Sequence, residues 1–236
     1  MMMLRSNNSR LIILATVVSA CGVPVASKRA EGPLQSVSPA SLCVTLGQVK
    51  PVGERQMEVT APAMRAVVAD SSAPIATLHF VYEGPSDGSA PLANGEVRRQ
   101  IGLKLRAENT CNVVYVMWRI EPESGLAVSV KHNPGKRLHT ECGTEGYRNV
   151  TPRQAGPVPA LKPGDEHFLQ AVMRDDELKV FIDHQLAWEG DLGPEAIAFA
   201  GPVGVRTDNG RFAFELAAVG AGGTSAADCA QVAASD

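Results

Sequence analysis

From residue 57 onward, apolar and polar positions either alternate one for one or gather in short apolar runs. Both patterns predict strands rather than helices. The longer candidates are Ala76–Tyr82, Gln100–Ala107, Val113–Ile120, Leu126–His132, Phe168–Met173, Leu178–Asp183 and Arg211–Val219. Met57–Thr60, Arg65–Ala69 and Pro202–Thr207 are shorter ones. No stretch of helical length carries the 3.6-residue period of a surface helix. Successive strand side chains point to opposite faces, so Val114, Val116, Trp118 and Ile120 share one face, as do Phe212, Phe214 and Leu216. Both sets are predicted to point into a core. Arg174-Asp175-Asp176-Glu177 and Asp183-His184-Gln185 read as tight turns. Asp208-Asn209-Gly210 is read as a third hairpin, because Asn-Gly tolerates the positive φ of primed turns. Many short strands without helices imply an all-β sandwich or barrel.

Two stretches narrow that choice. Leu178-Lys179-Val180-Phe181-Ile182-Asp183-His184-Gln185-Leu186-Ala187-Trp188-Glu189-Gly190 is similar to a hairpin of concanavalin A-like jelly rolls, in which a strand returns through a small turn with an aromatic. His184 stands where that turn usually has glycine. Gly201-Pro202-Val203-Gly204-Val205-Arg206-Thr207-Asp208-Asn209-Gly210-Arg211-Phe212-Ala213-Phe214 resembles the closing strands of the same family, a pattern shared with laminin-G-like and 3-keto-disaccharide hydrolase-like domains. The resemblance implies a two-sheet antiparallel jelly-roll sandwich over residues 43–229, tail included, with 230–236 as a loose end.

The amino end has a different pattern. An apolar run, Leu11–Val18, follows a start whose only charges are Arg5 and Arg10, and small residues Ser19 and Ala20 precede Cys21. This is the layout of a secretory signal over residues 1–20. With the cysteine it resembles the lipobox of bacterial lipoproteins, which implies lipidation of Cys21, anchoring in the bacterial cell envelope and, by default, the outer membrane. The run is too short for the roughly 20 residues of a membrane span. Residues 21–42, with Pro24, Pro33 and Pro39, then read as an extended tether. Losing the signal removes two arginines and no acid, so the remaining chain is more acidic than the −3 of the whole. Such a chain is a poor nonspecific partner for nucleic acid.

Five cysteines are present. With Cys21 assigned to lipid, Cys43, Cys111, Cys142 and Cys229 form an even set, which in an exported chain suggests two disulfides with three possible pairings. Cys111–Cys142 and Cys43–Cys229 are favoured, the latter tying the two ends of the domain together. A zinc site using His139 and Cys142 is the sharper alternative, but no C-x-x-C pair supports it.

Familiar catalytic spacing is missing. Laminarinase-type jelly rolls carry Glu-x-Asp-x-Glu on one strand so that alternate carboxylates surround one bond. Here Asp175-Asp176-Glu177 is consecutive and sits in a turn, and Glu121 and Glu123 flank Pro122. No Gly-x-Ser-x-Gly elbow occurs, and the five histidines lack metal-ligand spacing. Asp183 and Asp208 are turn formers in preference to calcium ligands. No catalytic residue, metal or cofactor is assigned.

A basic face emerges from alternation. Lys104 and Arg106, Tyr115 and Arg119, and Ser129 and Lys131 lie on the polar sides of three central strands, with Tyr147 and Arg148 as a rim. If those strands are neighbours, the face suits an anionic glycan: cations pair with carboxylate or sulfate, and a ring stacks on sugar CH groups. A plain solvated sheet face is the simpler expectation, and an aromatic content of only 5% favours restraint. The reading is a membrane-anchored, non-catalytic binding module for a polysaccharide. The alternatives are an envelope-protein interaction lipoprotein without a small ligand, and a glycan-processing enzyme of unrecognised mechanism.

Overall fold

A computed structural model describes residues 33–68, 71, 75–220 and 229. The signal, Cys21, residues 22–32 and residues 230–236 lie outside the described residues; residues 33–42, expected as the end of the tether, belong to the domain instead, with Val37 and Leu42 buried in its core. In chain order the strands are β1 (Leu34–Ser36), β2 (Cys43–Leu46), β3 (Lys50–Pro51), β4 (Met57–Val59), β5 (Ala63–Val68), β6 (Ile75–Pro85), β7 (Arg99–Leu105) and β8 (Val113–Glu121). There follow β9 (Gly125–Lys131), a single-turn helix α1 (His139–Cys142), β10 (Tyr147–Asn149), β11 (Gln154–Ala155) and β12 (Glu166–Arg174). The chain closes with β13 (Glu177–Ile182), β14 (Gln185–Asp191), β15 (Val203–Asp208) and β16 (Gly210–Val219). No helix among the described residues is long and apolar enough to cross a membrane.

These strands form two antiparallel sheets, the jelly-roll sandwich expected from the pattern. One has nine strands in the order β11-β14-β13-β12-β6-β16-β4-β3, with β1 also on β16; the other has seven, β10-β9-β8-β7-β15-β5-β2. Alternation does the work of placing the core. Val114, Val116 and Trp118 of β8 are fully buried and face Phe212, Phe214 and Leu216 of β16 in one apolar cluster, with Ile120 packed at its margin. Trp118 meets Phe80 edge-on at 5.6 Å, and Phe80 meets Phe212 at 6.1 Å, the T-shaped geometry that ring quadrupoles prefer. The Trp118 indole donates to the Pro159 carbonyl at 3.2 Å. Trp188 also lies in this core.

Both expected disulfides form, Cys43 with Cys229 and Cys111 with Cys142. Cys142 is thereby spent, which removes the thiolate that a His139–Cys142 zinc site needs.

Two of the three predicted turns are hairpins. Asp175 (φ 52°) joins β12 to β13, and Asp183 (φ 47°) with His184 (φ 66°) joins β13 to β14. Both central residues of the second turn are left-handed without any glycine. The Asp183 carboxylate secures that strained corner by accepting the Phe168 amide at 2.9 Å and pairing with His167 Nδ1 at 2.7 Å. The third turn is a correction. β15 pairs with β5 and β7, whereas β16 pairs with β1, β4 and β6. Asp208-Asn209-Gly210 therefore carries the chain from one sheet to the other. Buried Asn209 (φ 54°) receives the Ala90 amide and donates to the Ala90 and Arg98 carbonyls, so the 90–98 loop supplies the partners that a hairpin strand would have supplied.

Candidate ligand-binding groove

The outer side of the seven-stranded sheet holds a groove of about 800 Å3. Its floor is built in cross-strand rows. Lys104, Tyr115, Ser129 and Asn149 stand opposite one another on β7, β8, β9 and β10. Arg65, Arg206, Gly102, Met117 and Ala127 form the next row, and Asp208, Gln100 and Arg119 the third. Lys131 and Tyr147 pair at the far end. Residues 91–98 wall one end, His139, Gly143 and Thr144 the other, and Thr45 and Leu46 one side.

The walls explain why this is not the solvated sheet face that alternation alone predicts. Lys104 and Lys131 are only 2% and 1% exposed, and Tyr115 and Met117 are buried as well. Cys43, Val67, Ala107, Val113, Tyr115 and Met117 form a second small apolar cluster on this outer side, with Cys229 packed against it. Gly102 lets β8 approach: a Cβ there would lie 2.0 Å from the Val116 carbonyl oxygen and 2.9 Å from the Met117 sulfur.

Buried cations need compensation, and Asp208 supplies much of it. Its carboxylate, 2% exposed, accepts from Arg65 at 2.7 Å, Gln100 Nε2 at 2.7 Å and Arg206 Nε at 2.8 Å. Burial alone would raise the Asp208 pKa, but Arg206, Arg65 and the Gln100 hydrogen bond outweigh it and hold the group below the usual carboxylate range. Burial, reinforced by Arg206, lowers Arg65; for Arg206 burial is outweighed by Asp208, Tyr115 and Tyr147, and its pKa rises. Arg65 is further fixed by the Met64 and Thr207 carbonyls.

The aromatic part joins this network. Tyr115 and Tyr147 stack at 6.1 Å; the Arg206 guanidinium sits 5.0 Å from the Tyr115 ring centre and Lys131 Nζ 5.0 Å from that of Tyr147. Burial raises the Tyr147 pKa. Lys131 donates to the Gly143 carbonyl at 2.8 Å, and burial with Arg206 pushes it down to about 8. His139 is lowered by burial, then by Lys131, Arg65 and Arg206.

Of the six residues selected from sequence, the fold brings Lys104, Tyr115, Arg119, Lys131 and Tyr147 into the groove. Arg106 departs. β7 ends at Leu105, Arg106 takes φ 47°, and its guanidinium turns to the Phe199 carbonyl at 3.1 Å, so period two no longer applies to it. Arg148 pairs with Glu195. Sequence reasoning missed Arg65, Gln100, Arg206, Asp208 and His139. The alternation Val203-Gly204-Val205-Arg206-Thr207-Asp208 puts Arg206 and Asp208 on one face, but nothing local says that β15 inserts between β7 and β5. Asp208, expected as a turn former, is instead the buried counter-ion.

The groove thus lies on one face of an antiparallel jelly-roll sandwich. No family model and no curated protein matches the chain. Among solved structures, the carbohydrate binding module CBM66 from Bacillus subtilis is similar, with a TM-score of 0.51 at 12% identity over 74% of this chain and 92% of that one. Domain 4 of AbnA, an extracellular arabinanase from Geobacillus stearothermophilus in complex with arabinotriose, gives 0.45 at 10% identity over 86% and 99%. Caenorhabditis elegans galectin LEC-6 gives 0.40 at 10% over 72% and 99%. At these identities the likeness concerns the fold.

Proposed function

We propose that this chain is a non-catalytic binding module of the bacterial cell envelope that holds a polysaccharide in the groove and is anchored through lipid on Cys21. The carrying observation is the groove floor itself. All seven strands of this sheet send polar side chains into one walled channel, and a buried carboxylate keeps two arginines there. A sheet face needing only solubility has no use for so costly a network. Strands lie about 4.8 Å apart, so the channel accommodates several linked residues rather than a single one. The likeness to a carbohydrate binding module supports the same reading at the level of fold.

Support for a non-catalytic role comes from the carboxylates. The two lining the groove are Glu96 and Asp208. Asp208 is held ionised by two arginines, and Glu96 pairs with Arg98. Neither is arranged as the protonated general acid that glycoside cleavage requires. Two disulfides suit an oxidising compartment, in keeping with export, and one lipid chain alone binds only marginally, so stable anchoring calls for the multiple acyl chains of a lipoprotein.

The test is a glycan array probed with the full chain, followed by calorimetry on the retained polymers. Retention of a polysaccharide, lost on Tyr147→Ala, is expected. No retention of any glycan, with an envelope protein cross-linked at the groove instead, overturns the proposal in favour of the protein-interaction reading. For the anchor, Cys21→Ser should move the protein from the membrane to the soluble fraction; a variant that stays with membranes refutes lipidation there.

A further inference from the structure

The groove is lined by six cationic side chains, Arg65, Arg98, Lys104, Arg119, Lys131 and Arg206, and their state of pairing differs sharply. Arg65 and Arg206 share Asp208, Arg98 is paired with Glu96, and Lys131 is spent on the Gly143 carbonyl. Lys104 is almost fully enclosed in the floor and is itself engaged. Arg119 is the exception. It is half-buried, its Nε is out of contact with solvent and lacks a hydrogen-bond partner, and no ion pair to it exists among the described residues. Beside it in the same row, the Oε1 of Gln100, a residue 2% exposed, is likewise without a partner. Burial disfavours the Arg119 charge, Arg98 adds like-charge repulsion, and Glu96 and Glu123 each contribute a smaller opposing attraction. A guanidinium that is partly desolvated and unpaired costs free energy in the free protein, and a planar anion arriving in the groove removes that cost through a bidentate pair.

We infer that Arg119 is the single anion anchor of the groove and that the ligand is a uronic-acid-bearing polysaccharide, one carboxylate of which pairs with Arg119 while the rest of the footprint is read through neutral hydroxyls. This rests on the polysaccharide reading above and specifies its class. A densely sulfated polymer is the wrong ligand, because the other cations are already neutralised or enclosed. One ion pair also fixes the salt response. By counter-ion release, affinity falls about two- to fourfold between 50 and 200 mM salt for one pair, against about fifty- to 150-fold for four.

The experiment titrates the full chain with polygalacturonate, alginate and hyaluronan, and with the carboxyl-reduced neutral form of each. The expected result is one acidic polymer bound, its reduced form bound about ten- to a hundredfold more weakly, as loss of a charge-assisted hydrogen bond predicts, and the shallow salt dependence. Arg119→Gln should lower acidic affinity by about ten- to a hundredfold and neutral affinity by much less; Arg119→Lys should recover part of the acidic affinity. Equal binding of the acidic and reduced forms overturns the uronate inference and leaves the polysaccharide reading standing. Arg119→Gln weakening both forms alike assigns Arg119 a structural role and also overturns it. A steep salt dependence overturns the single anchor. If neither form of any polymer binds, while neutral glycans on the array do, only this inference falls; if nothing binds anywhere, both fall.

Discussion

Asp208→Asn is the most demanding perturbation of the groove. The substitution keeps size and one acceptor but removes the charge that holds Arg65, Arg206 and Gln100 at 2.7, 2.8 and 2.7 Å. It leaves two guanidiniums facing one another and turns an amide NH2 toward donors. Breaking a buried pair by deleting one partner costs about 3–5 kcal/mol. The side chains of Arg65 and Arg206 are 16% and 11% exposed, so water relieves part of the loss and the low end, about 3 kcal/mol, applies. In a domain of this size each kcal/mol moves Tm by about 2–4 °C, so a fall of about 6–12 °C is expected by calorimetry. The pH dependence gives a second check. Asp208 is depressed in the folded state, so its contribution is present above the unfolded carboxylate pKa and disappears as pH falls through the folded value. The gap between wild type and variant in urea unfolding should therefore close below about pH 4. A Tm loss under about 2 °C at pH 7, or a gap that persists undiminished into acid, would refute the counter-ion role.

Other outcomes follow from the same geometry. Gly102→Ala forces a Cβ to within 2.0 Å of the Val116 carbonyl, so it should destabilise by about 1–3 kcal/mol or more, read by urea midpoint, whereas Gly88→Ala meets open space and should be near neutral. Lys131 is depressed to about 8, so between that pH and its unfolded pKa the unfolded chain binds more protons and stability rises. Lys131→Met should abolish this gain, and stability compared at pH 7 and 9.5 should differ by order of 1–3 kcal/mol more in wild type than in the variant. Paired replacement of Cys111 and Cys142 by alanine should lower stability by about 2–4 kcal/mol and loosen the wall carrying His139 and Thr144. Ligand affinity should then fall even at temperatures where far-ultraviolet circular dichroism shows the sheets intact.

What the chain makes legible by itself is local. A side-chain period of two depends only on backbone geometry, so β6, β7, β8, β9, β12, β13 and β16 and their inward residues, Trp118 and Phe212 among them, follow from the sequence read a few residues at a time. The even cysteine set is equally local information once Cys21 is set aside. The groove is another matter. Lys104, Tyr115 and Ser129 align because three consecutive strands pair in a register the alternation implies. Arg65 and Arg206 join them only because β15 slots between β7 and β5, a pairing that spans more than a hundred positions of chain. The same long-range step turned Asn209 from a hairpin residue into a bridge between sheets, and Asp208 from a turn former into the counter-ion beneath the groove. Arg106 was lost for the opposite reason, since a single left-handed residue ended the strand whose period had placed it. Strand identity is a property of neighbours along the chain and the sequence determines it. Which charges share a cavity, and which one is left unpaired, is a property of neighbours in space, and only the packed sheets decide that.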